Sequence, residues 1–268
     1  MACKDAKRKQ VKPENLKDEA VLPQKETEEK EVECLFFGVD SQTPSNVVLQ
    51  NNITMFEWVK RNKIYPNFWG RNLVGENALT NEEVNFIHTK GSKIAAIYNT
   101  QEEKITEEQG KIIAKKVSMK AIEFEIRKGK AVFLEIPAEE NITKDFLKGY
   151  AEGLLLEGYT PAFKANTDAA FAFDREYSRG MQTDKEIFEK CLIWAVAPSL
   201  AEYDNVTTTH FIHPDNWMPF APSAITRKDI AVWQYGKDCH PIYDISDNKT
   251  SFNINLVRKD NVILENMF

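Results

Sequence analysis

Two acidic residues stand where an apolar, strand-like run ends, a position from which a carboxylate can act in catalysis. Asp40 closes the run CLFFGVD, and Glu135 follows four apolar residues in AVFLEIP. Pairs of carboxylates cleave glycosidic bonds, one as the acid and the other as the base or nucleophile. Asp40 and Glu135 are therefore the candidate catalytic residues. A structural role is the alternative, in which Asp40 would cap a loop. Glu135 would then pair with Arg71 or Lys164.

Amide, aromatic and basic side chains stand at the ends of other apolar runs. Binding sites for sugars use such groups, since amides bond hydroxyl groups and aromatic rings pack on the sugar face. A structural role competes at several positions: Trp194 would pack the interior, Arg71 would orient a carboxylate through its planar fork, and Tyr98 would fill the core. The candidate substrate-binding residues are Arg71, Tyr98, Asn166, Trp194, Gln234 and Asn253.

Metal, redox and cofactor sites have no comparable support. The four cysteines are far apart and show no CxxC spacing, so scattered reduced thiols are expected. His210 and His213 are three residues apart without an acidic partner at metal-ligand spacing, and we interpret them as loop residues. We therefore expect neither a metal nor a cofactor.

The composition is that of a folded chain without affinity for nucleic acids. The 268 residues, 42% of them hydrophobic, suffice for one domain with a sizeable core. A net charge of −6 argues against nucleic-acid binding, which needs a basic face. No apolar run reaches the about 18 residues of a membrane span, and no signal-peptide core follows Met1. The compartment stays open: the protein is secreted or lipid-anchored if a signal peptide was removed before Cys3, and cytoplasmic otherwise.

The chain divides into a tail and a folded part. Residues 1–33 are charged and almost free of aromatic residues, so they cannot bury enough surface to offset the entropy lost on ordering. We predict a flexible tail there and a single domain over residues 34–268. In this domain, short apolar runs alternate with helical patterns. The runs occupy residues 34–40, 67–73, 93–99, 131–137, 160–166, 192–198, 230–236 and 251–257.

Strands that alternate with helices favour parallel pairing, because parallel neighbours need a crossover. Eight such units fit one closed (β/α)8 barrel of eight parallel strands, an α/β fold. An open doubly wound sheet is the alternative, but its Gly-rich loop is missing from GVDSQTPSN. Since barrel strands end at one mouth, the candidate residues are predicted to meet there. Capping boxes predict helix starts at Thr54/Glu57, Thr80/Glu83, Thr106/Gln109 and Thr183/Glu186.

Five motifs follow one another through residues 34–258. They are FFGVDSQ with Asp40, PNFWGRNLVGENALTNEEVNFIHTKGSKIAAIYNT with Gly-Arg at 70–71, GYTPAFKAN, WQYG and FNINL. In this order they resemble the glycoside-hydrolase-like TIM-barrel domain family and, more distantly, the Chalaropsis-type lysozymes, which are barrels that cleave peptidoglycan. The resemblance implies a hydrolase of cell-wall or related polysaccharide, with a polysaccharide or the glycan of peptidoglycan as its partner.

The chain departs from these families on two strands. Their fourth strand normally ends with two acids, spaced Asp-x-Asp or Asp-x-Glu, and in the lysozymes the second is the general acid. Here Glu135 matches the first acid, and Pro137 stands in place of the second. Glu139 and Glu140, in the loop that follows, are candidates to replace it. On the closing strand, Asn253 stands where aspartate is usual.

Two classes of function stay open at this point. The first is a hydrolase in which Glu135 is the general acid or base and Asp40 is its partner. The second is a barrel that has lost catalysis and binds a glycan or a protein. The geometry of the two carboxylates discriminates between them: a shared open cleft supports the enzyme, and a cation locked to Glu135 opposes it.

Overall fold

A computed structural model describes residues 35–49, 52–139, 141–200, 216–239 and 250–268. The tail predicted at residues 1–33 lies outside the described residues, as do Glu140, His210 and His213. Within the described ranges, no helix combines the length and the apolar character that crossing a membrane requires.

Eight strands form a closed barrel in which each strand pairs with its neighbours in chain order. This confirms the predicted eight-stranded α/β barrel and rules out the open sheet. The strands arise from short runs rich in β-branched and aromatic residues, which suit a buried pleated surface. Their bounds are β1 Leu35–Asp40, β2 Phe68–Asn72, β3 Lys93–Tyr98, β4 Ala131–Ile136, β5 Thr160–Ala165, β6 Leu192–Leu200, β7 Ile230–Cys239 and β8 Phe252–Arg258.

Strand β8 runs antiparallel to both of its neighbours, β7 and β1. The other neighbouring pairs are parallel, so the prediction of eight parallel strands is wrong for the last strand. A parallel partner for β7 would need a crossover of a dozen or more residues, usually helical, and the segment 240–251 between the two strands is at the lower limit of that length. As a result, β8 begins at the mouth where β1–β7 end, and Asn253 lies opposite Asp40.

Helices follow each of the first five strands. Their bounds are α1 Met55–Arg61, α2 Asn81–Thr89, α3 Glu107–Glu123, α4 Lys144–Leu156, α5 Ala172–Thr183 and α6 Lys185–Phe188, with a 3₁₀ turn at Arg227–Asp229 and a short α7 at Ile263–Asn266. Thr54, Thr80 and Thr106 cap α1, α2 and α3 as predicted, each side chain accepting the backbone N–H three residues on. These caps satisfy donors that the first helical turn leaves unpaired.

The capping box predicted at Thr183/Glu186 is wrong. Thr183 is the last residue of α5, and Asp184 precedes α6 without a side-chain cap. Phe171, at the N-terminal boundary of α5, provides no capping side chain, so the sequence carries no capping signal for the start of this helix.

Side chains alternate between two layers along the strands, as the pleat requires. One layer fills the barrel interior, where Trp194 packs edge-on against Phe68 and Phe133 at ring-centroid distances of 5.9 and 5.2 Å. Gly38 makes room for this layer, since a Cβ there would lie 2.0 Å from Cζ of Phe68. The other layer, which includes Leu134, packs beneath the helices. The interior aromatic layer forms a floor below the polar residues of the mouth.

Candidate functional site

A cavity of about 320 Å³ opens at the mouth of the barrel. Most of its lining is polar, with three carboxylates, one ammonium group, and several amide and hydroxyl side chains. The lining residues are Asp40, Ser41, Gln42, Thr43, Gly70, Asn72, Ile97, Glu135, Lys164, Asp238, Ser251, Phe252 and Asn253. A polar concave surface of this kind is suited to a ligand rich in hydroxyl groups.

Strand register brings the charged residues together. Glu135 on β4 lies opposite Lys164 on β5, and Asp40 on β1 lies opposite Asn253 on β8. Alternate side chains of a barrel strand point inward. These four side chains point inward, as does that of Trp194, which lies opposite Val232 on β7. The charged groups therefore meet directly above the aromatic floor.

Lys164 bridges the two candidate catalytic carboxylates. Its Nζ lies 2.8 Å from Oδ2 of Asp40 and 3.1 Å from Oε1 of Glu135. The same Nζ lies 5.0 Å from the centroid of the Trp194 ring, within the range of a cation–π contact. Of the two ion-pair partners considered for Glu135, the structure selects Lys164 and not Arg71.

The environment keeps the Lys164 side chain protonated. Burial by itself lowers the pKa of the ammonium group, but the charges and hydrogen bonds of Asp40 and Glu135 more than offset this, so the net pKa is raised above its ordinary value. Lys164 is therefore a permanent cation at neutral pH and is unavailable as a nucleophile, which would need the neutral amine.

The two carboxylates differ in their exposure and in how many of their oxygens are bonded to other protein groups. Asp40 is 6% exposed, and both of its oxygens accept hydrogen bonds. Asn255 Nδ2 donates to Oδ1 at 2.7 Å, and Asn253 Nδ2 donates to Oδ2 at 2.9 Å. The side chain of Glu135 is 32% exposed, and its Oε2 has no bonding partner among the described residues. Glu135 is thus the carboxylate that a ligand can reach.

Among the described residues, no second acid accompanies Glu135 from β4 or from the loop after it into the cavity. Pro137 is exposed beyond the strand end, and Glu139 is exposed and does not line the cavity. Since Asp40 and Glu135 each place an oxygen near the same Nζ, those oxygens are at most about 6 Å apart, a limit that admits the about 5–5.5 Å of retaining glycosidase pairs. The two carboxylates therefore share one open cavity, while one cation holds both.

Asp238 brings a third carboxylate that sequence analysis missed. It lies at the end of β7 in a left-handed backbone conformation, with φ of 49°, which is uncommon outside glycine and occurs often at functional sites. Its N–H donates to Oδ1 of Asn253 at 2.9 Å. Asn253 therefore connects the rim at Asp238 to the buried carboxylate of Asp40.

Arg71 lies behind the cavity and not in its lining. It is fully buried and pairs with Glu83, with Nε 2.9 Å from Oε1. Its other donors reach main-chain oxygens of Ser41 at 2.5 Å and Asn77 at 2.6 Å. Burial lowers the pKa of the guanidinium group, an effect that Glu83 partly offsets. The carboxylate that Arg71 orients is thus Glu83, which also accepts the N–H of Ser45.

Four other candidates also lie outside the cavity lining. Tyr98 is opposite Leu134 in the outer layer, and burial raises the pKa of its hydroxyl group. Trp194 is fully buried and donates from Nε1 to Oδ1 of Asn255. Gln234 is 2% exposed. Asn166 accepts the N–H of Asp168 in a turn beyond β5. Among the predicted substrate-binding residues, the cavity brings Asn253 together with Asp40 and Glu135.

The alternation of side chains would have improved the prediction. Asn255 stands two residues from the candidate Asn253, so the two side chains point to the same face of β8. Lys164 is the inward residue of β5 closest to the candidate Asn166, which lies beyond the end of that strand. Arg71 and Tyr98 lie on the outward face. A list of strand-end residues mixes the two faces, whereas the register separates them.

Comparison with solved structures gives fold relatives. No protein-family model matches the chain, and no curated protein matches it. An uncharacterized B. stearothermophilus protein is 24% identical, with 87% of this chain and 100% of that chain covered at a TM-score of 0.70. The bacterial lysozyme from Streptomyces coelicolor is 10% identical, with 86% and 97% covered at 0.51. The Clostridium perfringens spore cortex lytic enzyme SleM is 11% identical, with 83% and 67% covered at 0.50. The predicted resemblance to lysozyme-type barrels is confirmed at the level of the fold.

Proposed function

We propose that this protein binds a saccharide in the cavity at the barrel mouth and does not cleave it by a two-carboxylate mechanism. The polar lining of the cavity and the fold shared with lytic enzymes support a saccharide, with cell-wall or related polysaccharide as the substrate class. The observation that carries the proposal is the position of Lys164 Nζ between Asp40 and Glu135.

Glycosidic cleavage requires one carboxyl group that donates a proton to the leaving oxygen. Lys164 contacts both Asp40 and Glu135, so one oxygen of each carboxylate is already committed to the same ammonium group and neither oxygen is free to meet the leaving group. Pro137 occupies the position where a second acid of β4 would stand.

In this proposal the cavity residues act as hydrogen-bonding groups. The free Oε2 of Glu135 accepts a sugar hydroxyl, and a hydrogen bond to a charged acceptor is stronger than a neutral one. Asp40 and Lys164 lie at the bottom of the cavity, where hydrogen bonds to each other and from asparagine side chains keep them in place. Asn253 connects the rim of the cavity to its bottom through two hydrogen bonds.

A retained hydrolase is the second candidate, and one observation favours it. Glu135 is open to the cavity, and its bound oxygen lies within about 6 Å of an oxygen of Asp40, a limit that admits the separation of a retaining pair. In that case Glu135 would act on the substrate directly, and its loss would abolish turnover.

Calorimetric titration with peptidoglycan fragments and a polysaccharide panel, alongside an assay for released reducing ends, tests the proposal. We expect binding without release of reducing ends. Glu135→Gln should weaken binding by a factor of about ten, because it replaces a charged acceptor with a neutral one. Glu139→Gln is the matched control, since Glu139 is an exposed acid outside the cavity.

Two results would overturn the proposal. Reducing ends released by the wild type, and lost by a factor of about 10² in Glu135→Gln, would identify a hydrolase. Absence of both binding and turnover across the panel would remove the saccharide as the ligand.

A further inference from the structure

A second, smaller cavity of about 120 Å³ adjoins the first. Gln42 and Asn72 line both cavities and form the boundary between them. Ligand sites usually measure about 300–1,000 Å³, so the second cavity is too small to be an independent site and extends the first one. Its lining residues are Gln42, Asn72, Val74, Gly75, Glu76, Asn77 and Asn99.

Four amide side chains dominate this second cavity: those of Gln42, Asn72, Asn77 and Asn99. None of the four makes a side-chain hydrogen bond within the part of the chain that the structure describes. Asn253 contrasts with them, since its amide is committed to Asp40 and Asp238. Each free amide offers two donors and one acceptor oxygen. Their convergence leaves an unused set of hydrogen-bonding groups in a concave surface.

The buried Arg71 donates hydrogen bonds to the main chain on two sides of this cavity. On one side it donates to the main-chain oxygens of Ser41 and Gln42, at 2.5 and 3.3 Å. On the other side it donates to the main-chain oxygen of Asn77 at 2.6 Å. Glu83 pairs with Arg71 and fixes the guanidinium group in turn. Binding groups supported by buried, fully bonded residues are held in place before a ligand arrives.

We infer that the second cavity is a subsite for an additional sugar unit of the ligand that occupies the first, and that Arg71 is its positioning residue. The inference rests on the proposed function. Amides that donate and accept hydrogen bonds complement the hydroxyl and acetamido groups of a neutral sugar. Glu76 is the one charged residue in the described lining, which disfavours an acidic sugar. The full ligand is therefore at least a disaccharide.

Titration calorimetry with N-acetylglucosamine and its β-1,4-linked dimer tests this inference. We expect the wild type to bind the dimer more tightly than the monomer. Asn77→Ala and Asn99→Ala should each weaken dimer binding by a factor of about five, the usual size of one neutral hydrogen bond. Monomer binding should be unchanged in both variants, because neither residue lines the first cavity. Asn85→Ala is the matched control, an exposed amide of α2 outside both cavities.

The outcomes separate this inference from the proposed function. Equal affinity of the wild type for monomer and dimer would overturn the subsite and leave saccharide binding in place. Equal loss of monomer and dimer binding in Asn77→Ala and Asn99→Ala would do the same. If neither sugar binds the wild type, both the saccharide proposal and the subsite are wrong.

Discussion

The ammonium group of Lys164 lies 2.8 Å from Oδ2 of Asp40, although the two residues are 124 positions apart in the sequence. They belong to β5 and β1, which are not neighbours in the barrel, so the pair spans the interior. Both side chains are almost fully buried, at 4% and 6% exposure. A buried ion pair of this kind is costly to break, since removing one partner leaves an uncompensated charge.

Lys164→Met should lower the free energy of unfolding by about 3–5 kcal/mol, the usual cost of breaking a buried pair. The cause is the loss of the cation that Asp40 and Glu135 share. Denaturant unfolding at neutral pH measures the effect. Lys115→Met removes an exposed lysine of α3 and should stay within about 0.5 kcal/mol of the wild type. Equal stability of Lys164→Met and the wild type would mean that the pair contributes nothing to folding.

The contribution of Lys164 should disappear at alkaline pH. Its pKa is raised in the folded state, so its stabilising effect is complete below the unfolded-state pKa of about 10.4. The effect is lost as the pH rises through the higher folded-state pKa. The stability difference between the wild type and Lys164→Met should therefore be constant from about pH 7 to 10 and shrink above that. A difference that stays constant into the alkaline range would contradict the raised pKa.

Asn253→Asp should destabilise the protein at neutral pH by at least about 1–3 kcal/mol. The change replaces the Nδ2 that donates to Asp40 with a second carboxylate, while the acceptor for the Asp238 N–H is kept. Because one proton can be shared between adjacent carboxyl groups, the loss should be smaller at acidic pH. Unfolding curves across pH measure this, with Asn253→Ala as the uncharged comparison. A pH-independent loss would show that charge repulsion is not its cause.

Gly70→Ala should lower the free energy of unfolding, because the added methyl group would overpack the floor of the site. An added Cβ would lie 2.7 Å from Cβ of Asp40 and 2.9 Å from Cη2 of Trp194, and neither atom is the end of a flexible chain. Overpacking of this kind typically costs about 1–3 kcal/mol. Saccharide binding should weaken as well, because Asp40 must move. Unchanged stability and unchanged affinity would together show that Asp40 and Trp194 can move aside at little cost in free energy.

Arg71→Lys should loosen the loops at residues 41–45 and 75–77. Lysine keeps the charge beside Glu83 but lacks the planar fork that reaches several carbonyl groups at once. Hydrogen exchange should become faster in both loops, and affinity for the N-acetylglucosamine dimer should fall. Arg127→Lys, at an exposed position, is the control and should change neither. Unaltered exchange in Arg71→Lys would remove its role as a positioning residue.

Local patterns allowed much of the fold to be predicted. The threonine caps of α1, α2 and α3 and the apolar strands depend on residues close in sequence, so they can be identified without tertiary information. The direction of β8 could not be predicted in this way, because it depends on how the chain returns after β7. Capping motifs alone did not reveal α5, which lacks a capping side chain.

The sequence by itself determined which residue types stand at the barrel mouth, because strand ends are set by local apolar runs. Asp40 and Glu135 were found for this reason, and they line the cavity. Asn253 lines it because β8 runs antiparallel and begins at the mouth. Only the tertiary structure decided which strand-end residues face inward and which partners they meet. Barrel closure and strand register produce the ion pair of Lys164 with Asp40 and the hydrogen bonds from Arg71 to two loops. Electrostatic and hydrogen-bonding partners are selected by distance in space, which spacing along the chain does not record.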